Sequence, residues 1–242
     1  MPDLTINGHK HHYEQVGTGA PLVFLASTRY DSAASWVAYM EKNAKSFRVI
    51  MPDLRGMAGS EHTTDVTGPD WVKDLDALLG ELDTGPVHMV GATLGSRVAT
   101  RFAVEHPASV KTLTLEGAIA YSYPEGDAER ANQPQARIDS MVQYHGDGAP
   151  AVNEWYLDLH AKPEFHDYYD LRKIAAQVQA PTLILRGDFD DDRHPIAHST
   201  ELHTLIPNSR LQIFANTGGF NGMTNRPEAA WALIRELAAE NA

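Results

Sequence analysis

Short apolar runs recur along this chain, and between them lie longer stretches with helical spacing. The runs are Pro21-Leu22-Val23-Phe24-Leu25, Phe47-Arg48-Val49-Ile50-Met51, Val87-His88-Met89-Val90, Val110 to Leu115, Pro181 to Leu185 and Arg210 to Phe214. Between them, Trp71 to Leu82 places Val72, Leu75, Leu78, Leu79 and Leu82 on one helical face. Gly95 to His106 is a second helix, closed by Pro107; others lie near Ile196 to Leu205 and from Pro227 onward. The alternation predicts an α/β fold: a doubly wound, mostly parallel sheet with helices on both faces. The 242 residues fit one domain, 1–242, and an α/β domain of this size buries a core without staples.

Residues 118–178 break the rhythm. Glycine, proline and acidic clusters there mix with Tyr121, Tyr123, Tyr144, Trp155, Tyr156, Tyr168 and Tyr169, and the segment reads as an inserted lid. The chain has no cysteine, which excludes disulfides, thiolate catalysis and cysteine-based metal sites. A formal charge of -12 without a basic run argues against nucleic acid or an anionic membrane as partner. The first residues lack the basic and apolar regions of a signal peptide, and no stretch has the roughly 20 apolar residues that span a bilayer. A cytoplasmic protein with a small-molecule ligand is the expectation; nothing indicates a cofactor or an oligomeric state.

The run Val90-Gly91-Ala92-Thr93-Leu94-Gly95 follows a strand and opens a helix. It resembles Gly-x-Ser-x-Gly, the nucleophile elbow of the α/β-hydrolase superfamily, where glycines make room for a sharp, strained turn. Three further segments stand in that family's order. Met51-Pro52-Asp53-Leu54-Arg55-Gly56 resembles its Pro-Asp-Leu-Arg-Gly segment. Pro181 to Asp190 resembles the strand that delivers the catalytic acid, and Asn225-Arg226-Pro227-Glu228 the start of the terminal helix. Together they cover nearly the whole chain and imply the α/β-hydrolase fold.

The chain departs from that family where the chemistry sits. Thr93 takes the place of the serine; it is either a hindered nucleophile or a filler that keeps one hydrogen bond. Counting back from Pro227, the family's histidine falls on Phe220 or Gly219, and Asn216 to Asn225 contains no histidine. Without a base a hydroxyl does not attack an ester at neutral pH. His145, His160 or His166 in the inserted segment could stand in, or belong simply to the lid. Asp190 keeps the acid position; Asp191 and Asp192 beside it read as a solvated turn. Glu116, ending the run from Val110, is a second candidate base or a salt-bridge partner. The resemblance puts the two oxyanion N–H donors on Thr28 and Leu94. Ser27, Arg29, Tyr30, Trp155, Tyr156 and Phe220 are candidate substrate contacts, Arg29 as a holder of anions or as a solvated loop residue. His9, His11 and His12 lack a carboxylate partner at ligand spacing and read as surface residues on an edge strand or turn, not a metal site.

These departures predict cofactor-free, non-hydrolytic chemistry of the lyase, isomerase, dehydratase or cyclase type on a ring-bearing molecule. Two alternatives stand beside it: a ligand-binding protein without catalysis, and an esterase or lactonase with a rebuilt triad.

Overall fold

The fold is taken from a computed structural model that describes residues 3–26, 30–122, 135–190, 194–219 and 221–242. Strands β1 (Asp3–Ile6) and β2 (His9–Val16) form a hairpin. Its two turn residues, Asn7 and Gly8, have φ of 52° and 85°, the mirror-image turn that matches strand twist. After the hairpin come β3 (Ala20–Leu25), α1 (Ala33–Asn43), β4 (Phe47–Pro52), α2 (Gly68–Glu81), β5 (Val87–Ala92), α3 (Leu94–Glu105) and β6 (Val110–Glu116). Short helices α4 (Gln135–Asp139), α5 (Val142–His145), α6 (Ala149–His160) and α7 (Pro163–Tyr168) follow. The chain then returns through β7 (Thr182–Gly187), α8 (Ile196–Leu205), β8 (Ser209–Phe214), α9 (Gly222–Asn225) and α10 (Pro227–Glu240).

The eight strands run in the order β1-β2-β4-β3-β5-β6-β7-β8. From β4 to β8 every pairing is parallel, while the hairpin joins β4 antiparallel. This is the α/β-hydrolase architecture that the motif order implied. Its central strands are buried along nearly their whole length because both faces are covered. In β3, Val23 and Leu25 enter the cluster under α2 and α3, whereas Leu22 and Phe24 enter the one under α1 and α10.

The hairpin corrects the reading of the N-terminal histidines. They lie on the second strand of the sheet, and His11 and His12 are buried. Each also has a carboxylate: His12 Nδ1 lies 2.9 Å from Asp3, His9 Nδ1 lies 3.1 Å from Glu61, and His11 Nε2 lies 3.6 Å from Asp74. Asp74 mainly serves Arg55, which donates two hydrogen bonds of 2.8 Å to it inside the protein. Burial holds the His11 imidazole below its ordinary pKa, so it sits neutral beside that pair.

The helices between β6 and β7 share the body's core. Phe165 meets Trp71 edge-on at 5.8 Å, and Trp155 covers Gly56, where a Cβ would come within 2.3 Å of the indole. Leu171 N–H donates to Ala120 O at 2.8 Å, joining the two ends of the excursion.

Candidate active site

The elbow forms where β5 meets α3. Thr93 has φ 49° and ψ -111°, a region that β-branched residues avoid. A Cβ on Gly91 would sit 2.4 Å from Gly95 O, so the turn closes only without one. Three bonds hold the strained residue: Thr93 N–H donates to Glu116 O at 3.0 Å, and Thr93 O accepts from Ser96 N–H at 3.1 Å and from Ser96 Oγ at 2.5 Å. Thr93 is half-buried. Leu94 opens α3, so its N–H is among the helix-start donors that have no intrahelical partner.

Glu116 ends the neighbouring strand and is 2% exposed. Its Oε1 accepts from Gly222 N–H at 2.6 Å and Met223 N–H at 3.3 Å. Its Oε2 is buried and has no hydrogen-bond partner among the described residues. Burial pushes this carboxyl up to about 8, against the pull of the two N–H groups and the Arg186 charge. At neutral pH Glu116 therefore holds a proton, and Oε2 is the oxygen free to carry it. Sequence reasoning offered base or ion pair; the observed partners are backbone amides.

In the acid loop the two carboxylates have different partners. Asp190 is exposed, and its Oδ1 accepts from Ile196 N–H at 2.6 Å, capping α8. Asp188, two residues earlier, reaches the loop after β8: Thr217 N–H donates to it at 3.0 Å. That bond and one from Asn216 N–H hold the Asp188 carboxyl below its ordinary range. Gly187 lets the loop approach, since a Cβ there would lie 2.1 Å from Thr217 O. Phe220, at the histidine position, lies outside the described residues, as do Ser27, Thr28, Arg29, Asp191 and Asp192.

Between the ends of β3 and β4 lies a small hollow with Asp31 and Asp53 in its wall. Burial raises the Asp31 carboxyl to about 6 although Trp36 Nε1 donates to it at 3.0 Å. Asp53 is also raised by burial; it accepts from Ala33 N–H at 2.6 Å and Gly59 N–H at 3.0 Å, pinning the start of α1 to the turn after β4. Asp53 belongs to the Pro-Asp-Leu-Arg-Gly segment, so its position was legible and its role was not. Asp31 carried no signal.

Among the candidate contacts, Tyr30 is half-buried against the core. Trp155 and Tyr156 are core residues of α6, and neither lines the hollow. Of the segment's histidines, His145 accepts at Nδ1 from Ala58 N–H at 3.1 Å. His160 stacks on Tyr156 at 4.2 Å, and His166 bonds to Ser122. Among the described residues, no group of three or more His, Cys, Asp or Glu gathers to hold a metal ion.

The sequence model of the family described as alpha/beta hydrolase fold matches residues 21–147, over half of the chain. This chain belongs to that family. A 2-hydroxymuconate semialdehyde hydrolase of Pseudomonas sp. CF600 is 26% identical, over 98% of this chain and 93% of the relative. A 2-hydroxy-6-oxo-2,4-heptadienoate hydrolase of Pseudomonas putida F1 is also 26% identical, over 87% and 86%. In fold, the chain is similar to a solved enol-lactonase of Burkholderia xenovorans LB400, with a TM-score of 0.73 and 21% identity over 98% of this chain and 100% of that one.

This α/β-hydrolase has relatives named for hydrolysis along almost its full length, which overturns the expectation of lyase, isomerase, dehydratase or cyclase chemistry. That expectation inferred a lost reaction from a changed nucleophile and a missing histidine. Hydrolysis asks only for a nucleophile, a proton acceptor and an oxyanion site, whichever residues supply them.

Proposed function

We propose that this α/β-hydrolase hydrolyses small carbonyl compounds of the ester or lactone type at the elbow. The observation that carries the reading is the strain at Thr93. A hydroxyl-bearing, β-branched residue in this conformation costs on the order of 1–3 kcal/mol, and such strain gathers at sites that use it.

In this reading the Thr93 hydroxyl attacks the carbonyl carbon. The Leu94 N–H stabilises the oxyanion, with Thr28 N–H as the second donor on the strength of its place after β3. Glu116, on the strand next to the elbow, takes the hydroxyl's proton when ionised and returns it to the leaving group; water then attacks the acyl-threonine by the same route, releasing the acid and restoring the hydroxyl. A carboxyl raised to about 8 has the affinity for a proton that this exchange needs near neutral pH. Asp190 is given no proton to handle, because its carboxylate caps α8. Ser27, Arg29, Tyr30 and Phe220 are assigned to substrate contact, whereas Trp155 and Tyr156 act by holding α6 in place. Residues 118–178 are taken as the lid.

The test is hydrolysis of nitrophenyl acetate, nitrophenyl butyrate and an aromatic lactone. Thr93→Ala and Glu116→Gln should each lower kcat on the order of a hundredfold with KM little changed. Asp190→Asn should stay within about twofold in kcat. Wild-type kcat should rise with pH through about 8, and the residual activity of Glu116→Gln should lack that rise. Absence of wild-type turnover on all three substrates, or turnover indifferent to Thr93→Ala, sinks the reading.

A further inference from the structure

Away from the elbow, a serine and a histidine are already hydrogen-bonded in the order that activates a nucleophile. Ser122 Oγ lies 2.7 Å from His166 Nδ1, Arg97 Nη2 lies 2.8 Å from the same Oγ, and His166 Nε2 lies 2.6 Å from His160 O. The direction of this chain is fixed at both ends. A guanidinium only donates and a carbonyl only accepts. With Arg97 donating to Oγ, the single hydroxyl hydrogen of Ser122 goes to Nδ1, and the imidazole proton sits on Nε2 facing His160 O. The imidazole is thus held in the tautomer that can receive the serine proton, with a backbone carbonyl in the orienting position.

The other hydroxyl–imidazole contacts among the described residues lack this order. His88 and Thr112 meet at 2.9 Å on strands β5 and β6, both buried in the sheet. Ser209 lies 2.9 Å from His203 Nδ1, but its hydroxyl also faces two carbonyl acceptors, His203 O and Ile206 O. Ser122 is half-buried rather than sealed. Arg97 beside it is 2% exposed, its Nε has no hydrogen-bond partner among the described residues, and burial lowers its pKa to about 10. A buried cation with no ion pair among the described residues stabilises negative charge that develops next to it. Arg97 lies one helical turn past Thr93 in α3 and Ser122 six residues beyond Glu116, so the cluster stands near the root of the α4–α7 excursion.

We propose that Ser122 is a second acyl-accepting nucleophile, with His166 as its base and Arg97 as the cation facing the oxyanion, open to small activated esters and phosphonyl fluorides. With an ester, Oγ bonds to the carbonyl carbon and its proton passes to Nδ1. The tetrahedral oxygen draws on Arg97, and the C–O bond to the alcohol breaks as Nδ1 returns the proton. Water then attacks the acyl-serine by the same route. With a phosphonyl fluoride the O–P bond forms, fluoride leaves and the proton remains on His166. This proposal does not depend on the function proposed for the elbow.

The experiment is labelling of the full chain with an aryl fluorophosphonate, followed by peptide mass mapping. An adduct on Ser122 is expected in wild type and in Thr93→Ala, absent in Ser122→Ala, and slowed on the order of a hundredfold in His166→Gln. A second readout covers a Ser122→Ala chain that folds poorly. The chain has no cysteine, so Ser122→Cys carries its only thiol. Its alkylation by iodoacetamide should titrate below the ordinary thiol value of about 8.5, and should move up toward it when His166→Gln is added, with Arg97 still holding part of the shift. Labelling at Thr93 alone, no labelling of a folded wild type, or an ordinary thiol titration overturns the proposal. A Thr93→Ala chain that loses most of its ester turnover with Ser122 still labelled supports both sites; the same loss with Ser122 unlabelled removes Ser122 and leaves the elbow reading intact.

Discussion

Thr93 sets its hydroxyl at the head of α3 at the expense of stability. Glycine accepts a positive φ without a Cβ penalty, so Thr93→Gly should stabilise the fold by about 1–3 kcal/mol while removing any hydroxyl chemistry. Thr93→Ala, which keeps a Cβ, should gain less. Thermal melts of the three proteins at one pH decide the point; a Thr93→Gly protein no more stable than wild type would show the turn to be unstrained. Glu116 makes the opposite kind of claim, on pH. An unfolded chain releases this proton near 4.5 and the folded one near 8, so the folded form binds more protons between those values. The stability linked to this group is whole below pH 4.5 and is lost as pH climbs to 8, at roughly 1.4 kcal/mol for each tenfold difference in proton affinity between the two forms. Glu116→Gln cannot ionise. Its stability relative to wild type should therefore rise between pH 5 and pH 9, and a difference that is flat with pH would contradict the buried acid. Thr93 was legible in the sequence because glycines flank it at fixed spacing. The burial of Glu116 was only half legible: a glutamate ending an apolar run signals it, but its amide partners stand 106 and 107 residues later.

At the scale of elements, the central strands were read within a residue or two because each buries both faces and therefore shows a short, mostly apolar run broken by a few polar residues. Loops gave less. Asp188 and Asp190 sit two apart on the same loop and are chemically equivalent in sequence. Only the fold shows that the first ties down the loop after β8 and the second caps α8. The hairpin histidines were misread for a related reason: their carboxylates Glu61 and Asp74 come from beyond β4 and from α2, contacts that no local spacing records. The Arg55–Asp74 pair fastens the segment after β4 to α2, and both side chains are buried. Asp74→Asn would leave the guanidinium without its charge partner, so a loss of about 3–5 kcal/mol is expected by urea unfolding. A loss under about 1 kcal/mol, the range of exposed pairs, would mean that water reaches Arg55.

For the molecule as a whole, the central fact is that the helices between β6 and β7 have no core of their own. Trp155, Tyr156, Phe165 and Tyr169 belong to the same buried cluster as Trp71, Phe102 and Leu113. The excursion and the sheet should therefore unfold in a single transition, with amide exchange in α6 as slow as in α3; earlier exchange in α6 would reveal a separable unit. The same sharing bears on recombination. A splice that exchanged this helical segment for that of another family member would cut through one packed interior, leaving Trp71 to face rings shaped for a different neighbour. Such chimaeras should be recovered folded only when the crossover also carries α2 and α3, so the heritable module in this chain is larger than the excursion that its topology alone would mark for excision.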